Sequence, residues 1–165
     1  MYASRTTMHE FLTDIVKFNT WANHKVVASL ETCPIVPGVG VELLSHILQN
    51  NWYVMDLIEK RDNGKRWYDA ADYNLMQCVK EIPKLDAAYK ELIVRAGPAG
   101  LEKPVTFIDS AGKTVTRKIS DLIYHTHDHC TYHRGQIAKV VRQAGGEPAK
   151  TWFNRWITET NRGEF

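Results

Sequence analysis

The sequence predicts an all-α protein: a bundle of four long helices, with a small hairpin or irregular insertion before the last long helix and a short C-terminal helix. Three observations predict it. Apolar residues recur three and four apart over long stretches. Gly and Pro fall between those stretches and bound them. Only one short segment carries the paired β-branched runs of two neighbouring strands. With 165 residues, 44 % of them hydrophobic and 24 % charged, the chain can bury a core without a disulfide framework or a structural metal. Residues 1–165 are therefore expected to form one helical-bundle domain.

The first helix is expected to start at Thr7. Thr7-Met8-His9-Glu10 fits a capping box, in which the Thr hydroxyl and the Glu carboxylate each satisfy a free backbone N–H. Phe11, Leu12, Ile15, Phe18, Ala22 and Val26 then keep helical spacing, and Pro34 and Pro37-Gly38 end the element. A second helix is predicted over 41–59, with Leu43, Leu44, Ile47, Leu48, Val54, Leu57 and Ile58 as its apolar stripe and Arg61-Asp62-Asn63-Gly64 as its end. Residues 64–79 have no clear period and read as a loop with at most a short turn. A third helix is predicted over 79–96, which puts Pro83 in its first turn, where the missing N–H is harmless, and Gly97-Pro98 at its stop. PVTFIDSAGKTVTRKI (104–119) reads as a hairpin around Asp109-Ser110-Ala111-Gly112. The fourth helix is predicted over 119–143, roughly 37 Å long at 1.5 Å per residue, and ends at Gly145-Gly146 and Pro148. A short last helix is expected over 151–160.

Composition narrows the function classes. The net charge is +2, and Lys and Arg are scattered, so no basic stripe offers a nucleic-acid footprint. No apolar run approaches the roughly 20 residues of a membrane span. The N-terminal MYASRTTMHEF lacks the apolar stretch of a signal peptide, so a cytoplasmic location is expected. The three cysteines, Cys33, Cys78 and Cys130, are far apart and form no CxxC pair, as free thiols in a reducing compartment would.

The histidines carry the chemistry. Four of the seven lie in His125-Thr-His127-Asp-His129-Cys-Thr-Tyr-His133. On a helix, His125, His129 and His133 form one drifting stripe, because residues four apart share a face. His127 points about 160° away from His129. An i, i+4 pair such as His129 and His133 can ligate one ion, with the spacing of helical zinc sites; the Glu of the HExxH motif is missing, since Cys130 follows His129. His46 sits in LLSHIL on the second helix, flanked by apolar residues. A buried imidazole needs partners for both nitrogens, and a metal satisfies one of them. Three neutral imidazoles suit Zn, Ni, Co, Cu or Fe, and three protein ligands leave open positions for water or substrate.

Three segments together resemble the DinB/YfiT-like superfamily. FNTWANHKV (18–26) is similar to its N-terminal YNxWAN signature, ELLSHILQNNWYVMDLI (42–58) to its second-helix segment, and HTHDHCTYHRGQIAKVVRQAG (125–145) to its HxxxHRGQI segment. The resemblance covers nearly the whole chain. It implies a four-helix core with a divalent transition metal at one end, Zn or Ni first and Co, Fe, Mn or Cu also compatible. It implies the ligands His46, His129 and His133, and so selects 129/133 over 125/129. It also implies a metal-dependent transferase acting on a low-molecular-weight thiol, because superfamily members include thiol S-transferases and a thiol-dependent isomerase, and it implies a homodimer. Two departures from the family pattern are Asp128, where Asn is common, and Trp152, where Asp is common; a relative's substrate is therefore not carried over. A non-catalytic, stress-related metal-binding bundle and a metal-dependent hydrolase are the alternative readings. No catalytic residue is assigned.

Other residues are read as structural. Gly135, inside the longest helix, is expected to mark close helix packing. Arg134 is expected to pair with a carboxylate and Gln136 to bond across helices. Cys130, Trp21 and Trp52 are expected in the core, and His9 and His24 in solvent. Tyr132 is a candidate proton donor; Asp128 or Glu10 is a candidate orienter of a ligand histidine.

Overall fold

The computed structural model describes residues 7–61 and 72–160. Four long helices, α1 (Met8–Glu31), α2 (Gly38–Glu59), α3 (Leu75–Leu101) and α4 (Ile119–Gln143), form the bundle. A two-stranded antiparallel hairpin, β1 (Pro104–Ile108) and β2 (Thr114–Lys118), separates α3 from α4, and a short α5 (Phe153–Glu159) follows. Helix α1 packs against α3 and α4, and α2 against the same two, so α1 and α2 face each other across the diagonal. The core is the common interior of all four, with Leu12, Leu30, Leu44, Ile47, Leu48, Ile93, Ile123 and Val141 fully buried. No helix among the described residues is long and apolar enough to cross a membrane.

The capping box of α1 is formed as predicted: the Thr7 hydroxyl accepts from the Glu10 N–H, and the Glu10 carboxylate accepts from the Thr7 N–H at 2.8 Å. The hairpin closes on Asp109, whose carboxylate accepts from the N–H groups of Ala111 and Lys113, with Gly112 at φ +76° completing the turn. Helix α4 ends in a Schellman motif: Gly145 takes a left-handed φ of 80°, and the Gly146 N–H donates to the Val141 carbonyl at 3.0 Å. A Cβ on Gly146 would lie 2.5 Å from Cys33 Sγ, so the chain after α4 passes tightly against the end of α1.

Several expectations are corrected. Helix α2 begins at Gly38, earlier than predicted, because Gly40 permits its close approach to α1; a Cβ there would lie 2.5 Å from Leu30 Cδ2. Helix α3 begins at Leu75, within the stretch read as loop, because Asn74 and Gln77 form their own capping box. Pro83 consequently lies inside α3, not in its first turn. The helical run also resumes after Gly97 (φ 58°), with Pro98 starting a last helical segment to Leu101. Residues 64–71 of the predicted loop lie outside the described residues.

Gly135 is a further correction. Nothing lies within 4 Å of a Cβ built there, so it marks no close packing. Gly in an exposed helix interior costs about 0.5–1 kcal/mol against Ala through backbone entropy. Gly135→Ala is accordingly expected to raise unfolding stability by about that amount, read as a higher urea midpoint at unchanged slope. An unchanged or lower midpoint would show that the glycine serves a constraint outside this helix.

Candidate metal centre

His46 is carried by α2, and His129 and His133 by α4, on the faces that these two helices turn toward each other. Their ligating atoms all lie within 4.8 Å of one another, and each residue is half-buried. His46 Nε2 and His129 Nε2 are 3.0 Å apart. The ring centroids of His46 and His133 are 4.6 Å apart, and those of His129 and His133 4.4 Å. The three rings thus converge on one point, and the group is compact enough to hold a metal ion.

The electrostatics fit such an ion. Burial, followed by the nearby His133, His46 and His125 rings, pushes His129 down to about 3. Burial and His133 also lower His46, against an opposing pull from Asp72. Neither carries a proton charge at neutral pH, so their nitrogens offer lone pairs. The Gln136 Oε1 lies 2.8 Å from His133 Nδ1, where it accepts the ring N–H and leaves Nε2 free toward the cluster. Gln136 therefore bonds within its own helix, not across helices as expected. His129 Nδ1 is buried with no hydrogen-bond partner. With its Nε2 turned to the cluster, that Nδ1 is the tautomeric N–H, and a metal on the other nitrogen is consistent with this arrangement.

The remaining histidines separate from the cluster. His125 is exposed, with its ring 6.0 Å from that of His129, at the rim. His127 turns to α1, edge-on to Phe18 at 5.4 Å and with Nδ1 3.3 Å from Asn19 Oδ1. Burial and then Arg134 push it down to about 4, so it is neutral at pH 7. His24 is exposed and His9 half-buried. Tyr132 is 66 % exposed and sets its ring edge-on to His133 at 5.0 Å. Asp128 is exposed, and Glu10 is spent on the α1 cap.

Behind the cluster lies a polar network that the sequence reading missed. Arg134 is 2 % exposed. Its Nη1 donates to Asn19 Oδ1 at 3.2 Å and Asn23 Oδ1 at 3.3 Å, and its Nη2 to Thr131 Oγ1 at 2.9 Å. The guanidinium also lies 5.2 Å from the Phe18 ring centre. Its acceptors are neutral amide and hydroxyl oxygens, where a carboxylate was expected. The available signal was the WAN segment itself: Asn19 and Asn23 are four apart, on the apolar face of α1. Cys130 is fully buried as expected, with Asn51 Nδ2 3.3 Å from its sulfur. Trp52 is half-buried and donates from Nε1 to Glu81, and Trp21 is half-buried against Phe18. Trp152 is 65 % exposed at the N-terminus of α5.

The chain is 23% identical over 168 residues to the protein DinB of Bacillus subtilis (strain 168), an alignment covering 93% of this chain and 97% of that protein. The sequence model of the DinB family matches residues 41–163, which include the second-helix histidine, the α4 histidines and the HRGQ run, and the chain belongs to the DinB family.

Proposed function

We propose that this protein binds one divalent transition metal through His46, His129 and His133 and acts as a transferase on a low-molecular-weight thiol. The observation that carries the reading is the convergence of three imidazoles, with two Nε2 atoms 3.0 Å apart, on a face that stays partly open. An ion held by His46, His129 and His133 would supply a Lewis acid that lowers the pKa of a bound thiol or water. The chain's own part is to keep three imidazole nitrogens aimed at one point, with Gln136 bonded to His133 Nδ1, while His125 and Tyr132 stand at the rim. In the transfer, the thiol sulfur forms a bond to an electrophilic carbon as the leaving group departs with its electron pair. The thiol proton passes to solvent.

Zinc and nickel are the first candidates by ligand type, since imidazole suits both. The test uses cobalt as a spectroscopic substitute. Adding a small thiol to the cobalt-loaded protein is expected to shift the visible bands and add a sulfur-to-metal charge-transfer band. Bands that ignore every thiol tried, in a protein that holds cobalt firmly, would favour the non-catalytic bundle. A response to hydroxide and carboxylates but not to thiols would favour a hydrolase.

A further inference from the structure

Histidines on a metal almost always donate their second ring N–H to an oxygen, which fixes the tautomer and strengthens the ligand. His133 has that partner in Gln136. His129 does not: its Nδ1 is buried and without a hydrogen-bond partner. One buried amide oxygen is in the same condition, Asn50 Oδ1. A buried donor and a buried acceptor, both unpaired, each carry a desolvation cost that nothing offsets.

Their positions bring them to the same groove. Asn51 Nδ2 meets Cys130 Sγ at 3.3 Å, and the Cβ position of Gly40 lies 3.6 Å from Val140 Cγ1. Helices α2 and α4 therefore run antiparallel, with 51 opposite 130. One residue back along each helix gives Asn50 and His129. Because the helices are antiparallel, both steps turn toward the same side of the 51–130 contact. That side is the metal side: His46, one turn before Asn50 on the same stripe, already touches His129. The terminal torsion of the amide is broad, so its oxygen can be turned without leaving a rotamer well.

We propose that Asn50 is the positioning residue for His129, its Oδ1 accepting the His129 Nδ1–H when the cluster holds its ion. This rests on the metal reading above. It gives each helix an outer partner for the site: Gln136 from α4 holds His133, and Asn50 from α2 holds His129. The second bond crosses between the helices, so it also ties ligand orientation to the α2–α4 packing.

The experiment compares cobalt(II) affinity, by competition with a chromophoric chelator, for the wild-type protein, Asn50→Leu and Asn50→Asp, together with the Tm of each metal-free form. Asn50→Leu keeps the volume and loses the acceptor; its affinity is expected to fall about ten- to hundredfold, while its metal-free Tm holds or rises, since the lost oxygen was unpaired. Asn50→Asp keeps an acceptor and is expected to bind at least as tightly as wild type. A merely structural asparagine would instead lower the metal-free Tm and leave affinity alone. Cobalt binding to Asn50→Leu at wild-type affinity would overturn the role of Asn50 and leave the metal centre standing. A wild-type protein that takes no cobalt would overturn both. Should Asn50→Leu fail to fold, the zinc-loaded wild type decides by nitrogen-15 NMR. A slowly exchanging His129 Nδ1–H that moves in Asn50→Asp supports the bond, and a rapidly exchanging one refutes it.

Discussion

His129→Ala is expected to abolish metal binding: purified wild-type protein should retain about one ion per chain through dialysis and the variant none. His129 is the central ring of the cluster. Its Nε2 is 3.0 Å from that of His46, and its ring centre is 4.4 Å from that of His133, so its loss leaves two imidazoles on different helices with no third. The effect should exceed the roughly hundredfold loss typical of an outer hydrogen bond. It should also appear in stability. An ion that binds only the folded chain stabilises it by about 4 kcal/mol at a thousandfold excess over Kd. At roughly 2–4 °C per kcal/mol for a chain of this size, loading should raise the wild-type Tm by about 10 °C. His129→Ala should show no such rise. His125→Ala, at the exposed rim, should keep both the ion and the rise. Retention of the ion in His129→Ala, or its loss in His125→Ala, would mean that the cluster is not the binding site.

Much of this centre was legible in the sequence because helices make spacing into geometry. His129 and His133 share a face whatever else the chain does, and the α1 capping box is a local signal of four residues. The turns at Gly112 and Gly145 are equally local. What spacing does not encode is which helices meet. The contact of His46 with His129 spans 83 residues, and the bonds of Arg134 to Asn19 and Asn23 span 115 and 111. The pairing of His46 with the α4 histidines therefore came from the family resemblance, and the partners of Arg134 came from neither source. The start of α3 was missed for another reason. The stretch 64–79 has no clear apolar period, so spacing puts the start at Val79, although Asn74 and Gln77 three residues later form a capping box. Gly135 shows the opposite failure: a glycine beside a ligand invited a packing role that its open surroundings do not support.

Arg134→Ala should cost the largest stability of any single change in the polar interior, about 2–4 kcal/mol. Three effects compete. Burial pushes the pKa of the guanidinium down from its ordinary value, and removing it recovers a desolvation cost. Against that, Asn23 Oδ1 loses its donor, at about 1–3 kcal/mol for the oxygen left unpaired, and Asn19 Oδ1 keeps only the His127 ring nitrogen at 3.3 Å. A cavity the size of an arginine side chain adds the loss of packing against Phe18, including a cation–π contact of up to about 2 kcal/mol when desolvated. The losses outweigh the gain. Arg134→Met separates the terms, because it fills the space without donors. If packing dominates, Met should recover most of the loss; if the asparagines dominate, it should recover less than half. Arg134→Lys supplies charge but not the planar fork that reaches Asn19 and Asn23 from one nitrogen and Thr131 from the other, and should also be destabilised. A variant lacking the arginine that unfolds at the wild-type urea midpoint would show that the network is not what joins α1 to α4 behind the histidines. Arg134 directly follows His133, so the same variants report on the centre. A weaker α1–α4 join should loosen cobalt affinity in proportion to the stability lost, whereas an effect on affinity at full stability would place Arg134 in the site itself.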